Sequence, residues 1–217
     1  MTDPVKVDVW SDVACPWCYI GKRRFEAGAA ASGVPVEVEY HSFELSPDTP
    51  VDFEGSATEF LSGHKGIPLE QARAMTDQVT AIAAEVGLDY RYDDIRHTKT
   101  LLAHELLHFA KAQGKQLETA EALFRAYFVD GGHVGRVDDL VAIAKSVGLD
   151  GPAARAALED HRHAEDVQAD LAQAVAYGIR GVPFFVVDGR YGVSGAQASE
   201  VFAGALRQVA DEREAVR

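Results

Sequence analysis

Strand-like patterning occurs only at the two ends of this chain, and everything between them reads as helix. Near the start, Val5, Val7 and Val9 alternate with Lys6, Asp8 and Trp10, as a strand requires. A helical composition follows from Pro16 to about Ala31, with Gly33 as its stop, and Pro16 suits a first helical turn. Val34, Val36, Val38 and Tyr40 then alternate again through His41, which completes a β-α-β unit. At the far end, Val182 to Val187 is the kind of apolar run shown by a strand covered on both faces. Asp188-Gly189 predicts a hairpin turn, with Arg190 to Val193 as the partner strand. Ser194 and Gln197 are spaced as a capping box. Val201, Phe202, Ala205, Leu206 and Val209 mark one face of a closing helix. A sheet must therefore be assembled from pieces far apart in the chain.

Between them, Ser46-Pro47-Asp48-Thr49-Pro50 punctuates the chain and strand patterns stop. Ser56 with Glu59 predicts a capped helix start. Pro68 opens a longer helix whose Met75, Val79, Ile82 and Val86 share a face up to Gly87. Further helical stretches run over about 98–112, 118–129, 137–147 and 153–177, the last interrupted near Asp160-His161. No internal repeat or low-complexity tract accompanies them. The reading is α/β, with residues 1–45 and 179–217 forming one domain and 46–178 a helical insertion domain.

Composition narrows the function. Thirty-four acidic against 21 basic side chains give a net charge of −13, which disfavours phosphate backbones and anionic lipid as partners. No apolar run approaches the roughly 18 residues of a spanning helix, so no membrane is expected. The first residues run straight into the first strand without a basic, apolar leader, which points to a cytoplasmic protein. Only two cysteines occur, Cys15 and Cys18. In a reducing compartment, a lone close pair suits catalysis or metal better than a structural staple.

That pair sits at the first strand-to-helix junction. A thiolate is the nucleophile in disulfide exchange, and unpaired N–H groups with the macrodipole favour negative charge at a helix start. Helical geometry brings the second cysteine near enough to resolve a mixed disulfide. Cys15 is thus read as attacking nucleophile and Cys18 as resolving thiol. Zinc would need two further ligands, and neither His104 with His108 nor His161 with His163 has such a context, so no metal is expected. The eight histidines, His104 included, are read as structural, and Asp12 as a loop residue or local cap whose charge would oppose thiolate formation. Apolar residues such as Phe60, Met75 and Phe128 read as core of the insertion, some able to line a groove facing Cys15.

Cys15-Pro16-Trp17-Cys18, Gly181-Val182-Pro183 and the element order together resemble the DsbA family of the thioredoxin superfamily over essentially the whole chain. The Trp in the motif and Gly192-Val193-Ser194-Gly195-Ala196-Gln197 resemble its FrnE-type branch, which is similar to 2-hydroxychromene-2-carboxylate isomerases and kappa-class glutathione transferases. The resemblance implies a thioredoxin fold with a large all-helical insertion and a cis Val182–Pro183 bond lying against Cys15. It also implies substrate contacts at Pro16, Trp17, Val182 and Pro183. A thiol–disulfide oxidoreductase is the activity expected, acting on a disulfide-containing protein or a small thiol. No permanently bound cofactor is expected, although glutathione or another small thiol would fit, and related folds are compatible with a homodimer. The alternative is a glutathione-dependent isomerase or transferase. Against it, the Asn-Thr-x-x-Ala-His motif common in such enzymes reads Lys99-Thr100-Leu101-Leu102-Ala103-His104 here. A non-enzymatic chaperone using the groove beside the insertion is the third reading.

Overall fold

A computed structural model describes residues 3–215. The strands β1 (Val5–Ser11), β2 (Val36–Ser42), β3 (Phe184–Val187) and β4 (Tyr191–Ser194) form one sheet in the order β2-β1-β3-β4. β1 runs parallel to β2, from Val5↔Val36 to Ser11↔Ser42, and antiparallel to β3. The parallel pair needs a crossover, and α1 (Pro16–Ser32) supplies it. β3 and β4 are joined by a tight turn in which Asp188 (φ 57°) and Gly189 (φ 65°) both take the left-handed conformation that such hairpins demand.

Alternation along β1 sorts its side chains between two covers. Val5, Val7 and Val9 join Phe185 and Val187 of β3 in the main core, over which α1 and α9 (Ser199–Ala215) pack. Phe25 of α1 and Phe202 of α9 meet Phe185 with ring centroids 5.4 and 4.7 Å away. Trp10 and Val186 point the other way and form a smaller cluster with Ala174 and Ile179. The expectation of a β3 covered on both faces holds.

Every helix between β2 and β3 belongs to the block expected over 46–178. It comprises α2 (Ala57–Lys65), α3 (Leu69–Glu85), a 3-10 turn (Tyr92–Asp94), α4 (Leu101–Lys111), α5 (Gln116–Phe128), α6 (Val137–Ser146), α7 (Gly151–Glu159) and α8 (Ala164–Ala176). Its apolar residues and those of the sheet belong to one continuous core. The Ser56–Glu59 capping box is formed in both directions.

Three sequence expectations are corrected. Ser194 and Gln197 do not start a helix. Ser194 is the last residue of β4, paired with Phe184, and the Gln197 side-chain amide donates to its carbonyl at 2.8 Å; α9 begins at Ser199. The spacing fits a cap, but strand pairing consumes the residue first. In α3 the buried face is Ala72, Thr76, Val79 and Ala83, whereas Met75 is 38% exposed. Small residues fill the buried face of α3, and Met75 lies at the edge of a cavity instead. Val201, on the face expected to be buried in α9, is likewise exposed.

Candidate active site

Cys15 caps α1 from an extended conformation, with Pro16 at the first helical position. The Cys15 N–H donates to the Asp12 carbonyl and the Cys18 N–H to the Cys15 carbonyl, both at 3.0 Å, which folds the loop tightly into the helix. Tyr90 donates its hydroxyl hydrogen to the Pro16 carbonyl at 2.7 Å and pins the same turn to the loop before the 3-10 segment. Both cysteines are free thiols and both are nearly covered. Cys15, unlike Cys18, lines the cavity described below. Burial, with the neighbouring Cys15 thiol, pushes the Cys18 thiol well above its ordinary value, while Ser11 and the backbone at Asp12 act more weakly in the opposite sense.

Val182–Pro183 is cis, and the Cys15 thiol lies 3.5 Å from the Val182 carbonyl as its donor. Pro183 also packs against α1 at Gly21, where a Cβ would meet the proline ring at 2.8 Å. Gly21 therefore permits the close approach of helix and proline. A glycine inside a helical stretch is the signal that could have exposed this contact. Trp17 stands 40% exposed and joins Cys15, Pro16 and Val182 in lining the cavity. The structure thus brings together all six residues singled out in the sequence: Cys15, Pro16, Trp17, Cys18, Val182 and Pro183.

Asp12 is a loop residue that caps locally, accepting the Ala14 N–H at 3.2 Å, and it is buried. Burial alone would raise its pKa. The His104 side chain, 3.5 Å from Oδ1, together with backbone N–H groups of Leu45 and Ala14, outweighs that cost and holds the carboxyl below its usual range. His104 is itself buried with both ring nitrogens lacking close hydrogen-bond partners, so it is not the satisfied core histidine expected. Lys99, standing where related isomerases carry Asn, turns outward and donates to the Pro47 carbonyl at 2.6 Å.

The cavity has a volume of about 450 Å³ and lies between the cysteine loop, α2, α3 and α5. Phe60, Met75, Val79, Ile95 and Phe128 supply much of its apolar wall, and Thr49, His64, Lys65 and His97 are among its polar residues. Sequence reasoning placed Phe60, Met75 and Phe128 near such a groove but missed Thr49 and His97, which sit in irregular segments where no periodicity points to a face.

Among the described residues, the group of potential metal ligands close enough to share an ion is Asp8, Glu39 and His41. It lies on β1 and β2 rather than at the cysteines. The Lys6 ammonium stands 3.1 Å from Asp8 and 3.2 Å from Glu39, so a cation already occupies this position. None of the helices is long and apolar enough to cross a membrane, among the residues described.

The sequence matches the DSBA-like thioredoxin domain over residues 6–207. It is 33% identical over 206 residues to the YwbO protein of Bacillus subtilis (strain 168), spanning 93% of this chain and 96% of that one. Among solved structures, a probable DsbA oxidoreductase of Streptomyces coelicolor superposes with a TM-score of 0.89 at 43% identity, over 96% of this chain and 91% of the other. A 2-hydroxychromene-2-carboxylate isomerase superposes with a TM-score of 0.73 at 15% identity, covering 98% and 99%, and shares the fold.

Proposed function

Since the chain belongs to the family of DSBA-like thioredoxin domains, we propose that it is a thiol–disulfide oxidoreductase working through the Cys15–Cys18 dithiol. One observation carries the reading: two free thiols begin α1, and only Cys15 both faces the cis Val182–Pro183 carbonyl and opens to a cavity. The Cys15 thiolate attacks one sulfur of a substrate disulfide, the S–S bond breaks, and the other sulfur leaves as thiolate. The Val182 carbonyl, an acceptor at the edge of the site, is placed to hold a substrate N–H or thiol. Cys18, sealed behind Cys15, then gives up its proton and attacks Cys15 Sγ, releasing the second half of the substrate. In reverse, the same steps oxidise a dithiol. This reading sets the enzyme in a reducing, cytoplasmic compartment with a small thiol such as glutathione as exchange partner, and it is compatible with a homodimer.

The alternative is a glutathione-dependent isomerase or transferase, favoured by the cavity beside Cys15. Lys99 in place of the expected Asn and the intact second cysteine weigh against it. A redox titration in glutathione buffers, with thiols trapped at each point, separates the two. We expect one reversible two-electron transition. Cys15→Ser should abolish exchange, and Cys18→Ser should accumulate a mixed disulfide on Cys15. Full exchange activity in Cys15→Ser would reject the oxidoreductase reading; a stable glutathione adduct with turnover of an aromatic substrate in Cys18→Ser would favour the alternative.

A further inference from the structure

Resting on the disulfide-exchange reading, we propose that the cavity beside Cys15 binds the substrate itself: a low-molecular-weight disulfide or thiol carrying an aryl-sized apolar group and an anionic end. Cys15 is only 3% exposed, so its sulfur is reached from the cavity rather than across an open surface. A volume of about 450 Å³ suits a single small molecule, within the roughly 300–1,000 Å³ of ligand pockets. Phe60, Val79, Ile95 and Phe128 give it aromatic and aliphatic walls.

Two polar atoms in this lining lack partners. Thr49 is 5% exposed and its Oγ1 has no hydrogen bond; His97 is 9% exposed and its Nε2 has none. Buried polar groups are nearly always paired, so an unpaired set at a cavity wall marks where a ligand's polar atoms belong. The other His97 nitrogen is engaged with the Tyr127 hydroxyl at 2.8 Å, and the ring lies against Phe60 with centroids 3.6 Å apart, so its orientation is set. Burial pushes the His97 pKa down to about 4, outweighing the charge of Asp12, so the imidazole is neutral at neutral pH. Lys65 lines the same cavity, is exposed, and pairs with no carboxylate among the described residues, which leaves its ammonium for an anionic substituent.

The chemistry balances without a further reagent in a single turnover. Cys15 thiolate displaces one half of R–S–S–R′; Cys18 displaces the other; the two released thiolates take the two protons, and the protein keeps the two-electron oxidation as a Cys15–Cys18 disulfide. Pre-reduced protein should therefore reduce 5,5′-dithiobis(2-nitrobenzoate), an aryl disulfide with carboxylates, at a far lower half-saturating concentration than 2-hydroxyethyl disulfide. Binding is read separately, by calorimetric titration of the Cys15→Ser/Cys18→Ser protein with 4-(phenylthio)benzoate, a thioether that cannot be reduced. We expect one-to-one binding, weakened at least tenfold by Val79→Trp, which fills the cavity, and by His97→Phe. The near-isosteric Thr49→Val should weaken it several-fold and serves if either larger change prevents folding. In single-turnover reactions of pre-reduced protein, the same substitutions should raise the half-saturating concentration for the aryl disulfide while the rate at saturation changes less than twofold.

No thioether binding, or binding indifferent to all three substitutions, in a protein that still reduces 2-hydroxyethyl disulfide overturns the substrate assignment and leaves the oxidoreductase reading standing. Reduction of insulin, undiminished in Val79→Trp, with no reduction of the aryl disulfide makes protein disulfides the substrate and also overturns it. Thioether binding without reduction of any disulfide rejects the oxidoreductase reading, and this assignment falls with it.

Discussion

Cys15 and Cys18 lie three residues apart on one helix start, yet their surroundings differ in what they allow a proton to do. Cys18 is sealed, and its burial beside another thiol keeps it protonated well above its ordinary range. Cys15 has an open side. In the reduced, folded protein at pH 8, iodoacetamide should therefore modify Cys15 and spare Cys18, whereas both react in denaturant. Mass spectrometry of the two peptides decides this, and rapid labelling of Cys18 in the native state would contradict the sealed environment. The candidate site residues legible in the sequence are those in short motifs, namely the Cys-Pro-Trp-Cys spacing and, through the family resemblance, the Val182-Pro183 segment. Tyr90, Thr49 and His97 escaped because a loop residue's direction is set by what the loop packs on, not by its neighbours in the chain.

At the scale of elements, the sheet is held to the helical block by a polar clamp. His41 of β2 lies between two carboxylates: Nδ1 is 2.7 Å from Asp170 on α8, and Nε2 is 2.9 Å from Asp8 on β1. Asp170 also accepts the Ser42 N–H at 2.7 Å and faces His108 of α4 at 3.0 Å, while Trp10 stacks on the His41 ring with centroids 4.4 Å apart. Burial alone would lower the His41 pKa, but the hydrogen bonds and charges of Asp170 and Asp8 prevail and raise it from 6.5 to about 9. Burial opposes ionisation of Asp170 too, and His108, His41 and the Ser42 N–H reverse that, holding it far below 3.8. A raised histidine stabilises the fold fully below its unfolded value near 6.5, and that contribution is lost as pH climbs through about 9. The lowered aspartate contributes above 3.8, and its share disappears as pH falls through its depressed folded value. The melting temperature should hence decline from pH 6.5 toward 9.5, and His41→Gln should flatten that decline while costing most stability near pH 5.5. A parallel decline in wild type and variant would show that the clamp does not govern this limb. Nothing in the alternating strand Val36–Ser42 announced this partnership, because Asp170 comes from the other end of the helical block.

One main core runs from Val5, Val9 and Phe185 in the sheet to Leu106, Leu123 and Leu158 in the helical block, beside the smaller cluster around Trp10. A second seam joins the two parts across α1 and α5. Glu121 receives the Tyr19 hydroxyl at 2.6 Å and pairs with Lys22 at 2.6 Å and with Arg23. Burial disfavours the Glu121 carboxylate, but Arg23, Lys22 and Tyr19 more than offset this and bring its pKa down to about 2. Lys22 is nearly covered, so losing the carboxylate strands a buried ammonium with Glu26 alone. Glu121→Gln should cost about 2 kcal/mol, less than the roughly 3–5 kcal/mol of a fully buried pair because Glu121 is partly solvated. Thermal unfolding should follow a single transition in which far-UV circular dichroism and tryptophan fluorescence coincide. Two resolved transitions would mean that residues 46–178 carry an independent core.

By itself, the sequence determined the class of fold, the run of helices between β2 and β3, and the place of the two cysteines at the start of α1. Each follows from local rules: a period of two residues in strands, a period near 3.6 in helices, and glycine or proline where the backbone must turn. The same rules erred at Ser194, where local cap chemistry lost to strand pairing with Phe184, and at Met75, where helix periodicity could not say which side the neighbours occupy. Tertiary structure alone decided that Cys15 and Cys18 differ in access, that Gly21 admits Pro183, and that Thr49 and His97 line one cavity. These depend on residues from separate elements arriving at one place, and burial, the effect that sets their chemistry, exists only once those elements have packed.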